Sequence, residues 1–200
     1  MLSKLSFVPA LSLALLFTSC DESDTIALHL RVNADLSGSL TSTALAPGTS
    51  QSRMQEVTEG ASWKSRVDLV CSAGDFTSIN QLKLADIVLS GGAGTDGFSF
   101  LRVSLPRGEK VRWAEALVPL SKDERARAAL ALDPSGKSKD VGETIKIEIT
   151  LPSDAIGNGV TGKTRGMKAS AEGNVATLLV PVDIAKTAGD PIVWHLTWQK

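Results

Sequence analysis

Two glycine-rich stretches of this 200-residue sequence have the spacing of phosphate-binding loops. Gly157-Asn158-Gly159-Val160-Thr161-Gly162-Lys163-Thr164 fits the pattern G-x-x-x-x-G-K-[ST] letter for letter. In that pattern backbone amides cradle phosphates, the lysine reaches the terminal phosphates and the hydroxyl holds Mg²⁺, provided a strand precedes the loop and a helix follows it. Here residues 152–156 separate the loop from the preceding strand pattern. Arg165-Gly166 and then Gly173 follow, which is poor helix material. The stretch therefore reads as a turn between strands, with no nucleotide. Gly92-Ala93-Gly94-Thr95-Asp96-Gly97 matches G-x-G-x-x-G. A dinucleotide fingerprint must open a helix whose N-terminus holds the pyrophosphate, and strand-like residues 98–103 follow instead. This reads as a hairpin loop.

The other reactive side chains are sparse. His29, His195 and Cys71 lie far apart in sequence, and zinc wants three or four ligands, so no metal site is expected. The histidines read as partly exposed or hydrogen-bonded strand residues. Cys71 reads as a small hydrophobe on a strand; a nucleophilic role would need a neighbouring base, and a disulfide to another chain is the remaining alternative. No G-x-S-x-G, H-E-x-x-H, EF-hand loop or spaced cysteine pair occurs, and no carboxylate spacing singles out an acid/base pair. The expectation is no catalytic residue and no cofactor. Lys and Arg number 21 against 22 Asp and Glu, a balance that argues against nucleic acid as a main partner. Trp194, Leu196 and Trp198 share one face of a strand pattern. They pack in a core, or Trp194 and Trp198 offer an aromatic surface to a partner or to lipid headgroups. Lys163, Arg165 and Lys168 form a small basic cluster, either a solvated loop or a contact for anionic headgroups.

Cys20 carries a more specific signal. Lys4 supplies a positive start, residues 5–17 are apolar, and Thr18 and Ser19 lead into Cys20. This order resembles the signal of bacterial lipoproteins, with Phe17 where that family prefers Leu. The resemblance implies diacylglycerol on the Cys20 thiol, acylation of the freed amine and an extracytoplasmic, membrane-anchored protein. An ordinary secretory signal is the alternative, disfavoured by bulky Phe17. No later stretch reaches about 18 apolar residues, the length needed to cross a bilayer. The expected organisation is a signal peptide over 1–19, a lipid-anchored tether over 20–24 and one domain over 25–200. Four extended tether residues reach roughly 13 Å, which holds the domain close to the bilayer. Asp21 resembles an inner-membrane retention signal of enteric bacteria, and inner against outer membrane stays open.

The elements that would position these residues follow from hydropathy periods. Residues 25–34 alternate with a period of two, residues 35–38 supply turn chemistry and 39–46 are β-compatible, which predicts a hairpin. Residues 63–71, 83–90, 98–105, 144–151, 175–182 and 191–198 read as further strands. Helical signals fall at 78–82, at 109–118 and after the capping box Ser121-Lys122-Asp123-Glu124, running to Leu132. Residues 47–62 are polar, with one helical turn near 54–57. Without strand–helix–strand alternation the expected fold is α+β: a mostly antiparallel sheet of about eight strands, with two or three helices, in one domain.

Cys20, the short tether, the alternating residues 26–32, the turn Asp35-Leu36-Ser37-Gly38-Ser39 and, loosely, the Trp-bearing strand 191–198 together resemble the LppM-type and related uncharacterised bacterial lipoproteins. That family often ends in a transmembrane helix, and this chain carries none before Lys200. The expectation is a non-enzymatic cell-envelope protein that binds a partner protein, an envelope polymer or an amphiphile near the bilayer. The alternative is an envelope hydrolase without a recognisable motif.

Overall fold

The computed structural model describes residues 26–44, 58–64, 71–118, 121–132 and 142–200. The 1–19 signal, Cys20, the 20–24 tether and the turn expected near 54–57 lie outside the described residues, as do Val67 and Leu69. The strands are β1 (Ala27–Val32), β2 (Gly38–Thr43), β3 (Thr58–Glu59), β4 (Ala61–Lys64), β5 (Cys71–Phe76), β6 (Lys83–Leu84), β7 (Val88–Ala93), β8 (Phe98–Leu105), β9 (Thr144–Thr150), β10 (Ala155–Thr161), β11 (Lys168–Glu172), β12 (Val175–Pro181) and β13 (Ile192–Gln199). Among the described residues three short helices accompany them: α1 (Arg112–Glu115), α2 (Lys122–Leu132) and α3 (Val182–Lys186).

The described residues are mostly β, and the single antiparallel sheet of about eight strands is corrected to three sheets among them. A seven-stranded sheet has the order β11-β12-β9-β1-β2-β5-β4, a four-stranded sheet has β10-β13-β8-β7, and β3 pairs with β6. The larger sheet is mixed, because β1 pairs in parallel with β9, Leu30 opposite Ile149. A parallel neighbour requires a long crossover, and everything from β2 to α2 supplies it. The two large sheets turn their alternating apolar residues into one core. Leu28, Leu30, Ile145, Ile147, Ile149, Leu178 and Val180 come from one sheet; Leu101, Val103, Leu105, Ile192, Trp194, Leu196 and Trp198 come from the other.

The β1–β2 hairpin closes as its sequence demands. Ser37 donates its backbone N–H (3.0 Å) and its hydroxyl (2.6 Å) to the Asp35 carboxylate, the local bonding that suits Asp to turns. Gly38 follows because an added Cβ would collide with the Arg31 carbonyl and the Phe76 ring. Of the strand expected over 63–71, residues 65–70 lie outside the described residues. Its ends belong to β4 and β5, which pair antiparallel. Residues 78–82 make a turn instead of a helix, with Leu82 N–H bonded to Ser78 O. The helix expected over 109–118 shortens to α1, entered from an extended Val111. Asp86, at the break between β6 and β7, accepts from the N–H groups of Arg112 (3.0 Å) and Trp113 (2.9 Å). These are donors that a helix start leaves unsatisfied. Helix α2 is tied down by Arg125, which is only 1% exposed and reaches Glu143 and Asp183.

Candidate interaction face

The outer side of the four-stranded sheet is where apolar side chains are left in water. Along β8, Ser99, Leu101, Val103 and Leu105 are buried, while Phe98, Phe100 and Arg102 are exposed. Along β13, Ile192, Trp194, Leu196 and Trp198 are buried, while His195 and Gln199 are exposed and Val193 and Thr197 half-buried. Register places Arg102 beside His195 and Phe100 beside Thr197. The flanking strands contribute almost no bulk there. Gly92 pairs with Phe100 and Gly157 with Thr197. The Phe100 ring lies over Gly92, where a Cβ would come within 3.3 Å of the ring edge. Two phenylalanines thus stand toward the Gly97 end of this face, beside flanking strands of mainly glycine and serine, with Arg102 nearer its middle. Val88 (64% exposed) lies on one edge strand and Ile156 (58%), at a bulge, on the other. Phe98 is 41% exposed and Phe100 38%. The outward residues of these strands include Arg102 and His195 and no carboxylate. An apolar patch with a cationic centre can seat an apolar segment bordered by carboxylates.

Trp194 and Trp198 do not form this surface, which corrects the aromatic-surface reading of the sequence. They are 0% and 2% exposed, because their phase of β13 faces the core. The Trp194 indole N–H donates to Asn158 Oδ1 at 2.6 Å, which satisfies its polar edge and ties β10 to the sheet. The phenylalanine signal was available in the sequence. Phe98 and Phe100 share the phase of Arg102 and Ser104, opposite Leu101, Val103 and Leu105.

The phosphate-loop spellings dissolve into sheet. Residues 155–161 form β10, antiparallel to β13, so their amides serve a ladder, and the next element is strand β11. Gly94 to Gly97 close the β7–β8 hairpin. Asp96 and Gly97 both have positive φ (60° and 80°), the geometry of the two-residue turns that match strand twist.

His29 and His195 lie in different sheets, and among the described residues no group of three or more His, Cys, Asp or Glu could hold a metal. Cys71 opens β5 opposite Thr43. His29 Nδ1 meets Glu148 Oε1 at 3.2 Å, and Lys146 Nζ meets Glu148 Oε2 at 3.0 Å. Burial works to raise the Glu148 pKa, but the hydrogen bond and charge of Lys146, then those of His29, outweigh it and hold the carboxyl below its usual value. Among the described residues no hydroxyl is hydrogen-bonded to His29. A solvent-open cleft of about 490 Å³ lies between Arg31, Asn33, Ser37, Ser39, Asp75 and Phe76. It offers polar groups and no histidine.

No family model and no curated protein matches the chain. Among solved structures, the NMR structure of the folded domain of the Mycobacterium tuberculosis LppM protein is similar to it. The match has 10% identity and a TM-score of 0.39, and covers 88% of this chain and 91% of that one. No described helix is long and apolar enough to cross a membrane.

Proposed function

We propose that this chain is a non-enzymatic, lipid-anchored protein of the bacterial cell envelope, held at Cys20, whose four-stranded sheet docks a partner protein. The observation that carries the docking reading is the outer face of that sheet, where four large apolar side chains stand in water on a glycine-margined surface with Arg102 at its centre. Such a face favours a flat protein contact; an amphiphile carrier would call for an enclosed apolar cavity. The partner segment is apolar and bordered by carboxylates, to complement Arg102 and His195. Membrane attachment rests on the Cys20 signal.

Two measurements test this. Metabolic labelling with an alkyne fatty acid should tag the parent and not Cys20→Ala; equal labelling refutes the anchor. A photoreactive residue placed at Phe98 in intact cells should give one protein adduct that the same probe at Thr41, on the other sheet, does not give. Adducts to glycan or lipid alone, or equal yield at both sites, would overturn the docking reading.

A further inference from the structure

A cationic loop lies at the β1 end of the molecule, and the turns of the opposite end are mostly acidic. One ladder row of the larger sheet runs Lys168, Leu179, Lys146, Ala27. Lys168 therefore lies three strands from the start of β1, about 15 Å away at the usual strand spacing. The loop between β10 and β11 lies at this same end, with Gly162 against the Pro191 carbonyl and Gly166 against the Pro181 ring. The loop is built to hold its shape. Gly162 and Gly166 take positive φ (73° and 96°), and Met167 plugs into the core at 4% exposure. Lys163, Arg165 and Lys168 are exposed around that plug. Among the described residues none of the three has a carboxylate within ion-pair distance.

The opposite end carries exposed Asp35, Asp96, Asp154 and Glu172 in its turns. Hydrogen bonds join the turns of Asp96, Asp154 and Glu172 and bring exposed Lys200 among them: Ser153 Oγ to Gln199 O, Lys200 N–H to Gly97 O and Ala155 N–H to Gly173 O. The β1 end also carries exposed Asp183, paired with Arg125 and Lys186, and exposed Asp190, so an anionic surface is attracted at the loop of Lys163, Arg165 and Lys168 and not across the whole end. Cys20 lies seven residues before Ala27, a span of no more than about 25 Å however the segment runs.

We infer that Lys163, Arg165 and Lys168 form an electrostatic footing that seats the β1 end of the domain on anionic phospholipid. This rests on the anchor reading, since the acyl chains at Cys20 are what hold that end within reach. A seated domain points its acidic turns away from the bilayer and leaves the Phe98–Phe100 face, on the flank of the sandwich, open to a partner.

The test uses the full lipidated protein on phosphatidylcholine vesicles with and without roughly one-third phosphatidylglycerol, read by amide hydrogen exchange. Residues 162–168 should gain protection only with phosphatidylglycerol, and about 0.5 M salt should remove the gain. Lys163→Ala/Arg165→Ala/Lys168→Ala should lower the seated-to-free ratio by about a hundredfold, about fivefold per cation, or about 1 kcal/mol each. The turn 33–37 should exchange alike on both vesicles. Inorganic phosphate added to phosphatidylcholine vesicles should not reproduce the gain. Equal protection on both vesicles, protection that the triple variant keeps, or a gain at 33–37 would overturn the footing. Absence of fatty-acid label at Cys20 would be failure of the anchor instead.

Discussion

Val88→Thr combined with Ile156→Thr should separate docking from folding. Val88 is 64% exposed and Ile156 58%, so most of each side chain still has water to lose. Full burial of such a side chain is worth about 1.5–3 kcal/mol. The exposed fractions therefore leave about 1–2 kcal/mol apiece to be gained on docking, about 2–3.5 kcal/mol together, or roughly a 30- to 300-fold change in Kd. The fold loses far less. Threonine keeps the β-branch and one methyl, and only the smaller, already buried part of each side chain is affected. About 0.5 kcal/mol each lowers Tm by about 2–4 °C at this chain length. The assay is the Kd for the protein captured by the probe at Phe98, measured by calorimetry beside a thermal melt. A Kd within twofold of the parent would refute the docking argument. A Tm loss above about 10 °C would show that these side chains serve packing.

Three further outcomes follow from single contacts. Asp86→Ala removes the acceptor for the Arg112 and Trp113 amides and should cost about 1 kcal/mol, with Asp86→Asn recovering most of it in a urea melt; a loss below about 0.3 kcal/mol contradicts the capping role. The folded-state pKa of Glu148 is depressed, so its contribution is complete above the ordinary value of 4.5 and disappears as pH falls through the lower folded value. Glu148→Gln should be less stable than the parent at neutral pH and flatter in stability below pH 4.5, and an acid profile that parallels the parent's would refute this. Gly38→Ala forces a methyl into the Arg31 carbonyl and should destabilise by about 2 kcal/mol or more, checked by the same melts.

Much of the strand framework was legible before the structure. Wherever one face is apolar the alternation survives folding, as in 98–105, 144–151 and 191–198. Helix α2 begins beside Ser121, as its capping box implied. Strand β10 was not legible. Gly157 and Gly159 have little β-propensity of their own, and this edge strand exists because β13 offers it a ladder and Trp194 a hydrogen bond to Asn158. The break between β6 and β7 was hidden for the same kind of reason. Ala85 takes a positive φ of 55° at a step where the next residue, Asp86, caps a helix 26 residues further on.

The sequence by itself determined the local matters: the turn at Asp35–Ser37 and the phase of the alternating strands. These depend on neighbours within a few residues. Tertiary structure decided which strands meet and which face is left over. The phases that pair Trp194 with Leu196 and Phe100 with Arg102 are written in the alternation, but only the packing of one sheet against the other shows that the first phase is covered and that the second stands in water. The same packing gathers Lys163, Arg165 and Lys168 at the end where β1 begins, although more than 130 residues of chain separate them from it.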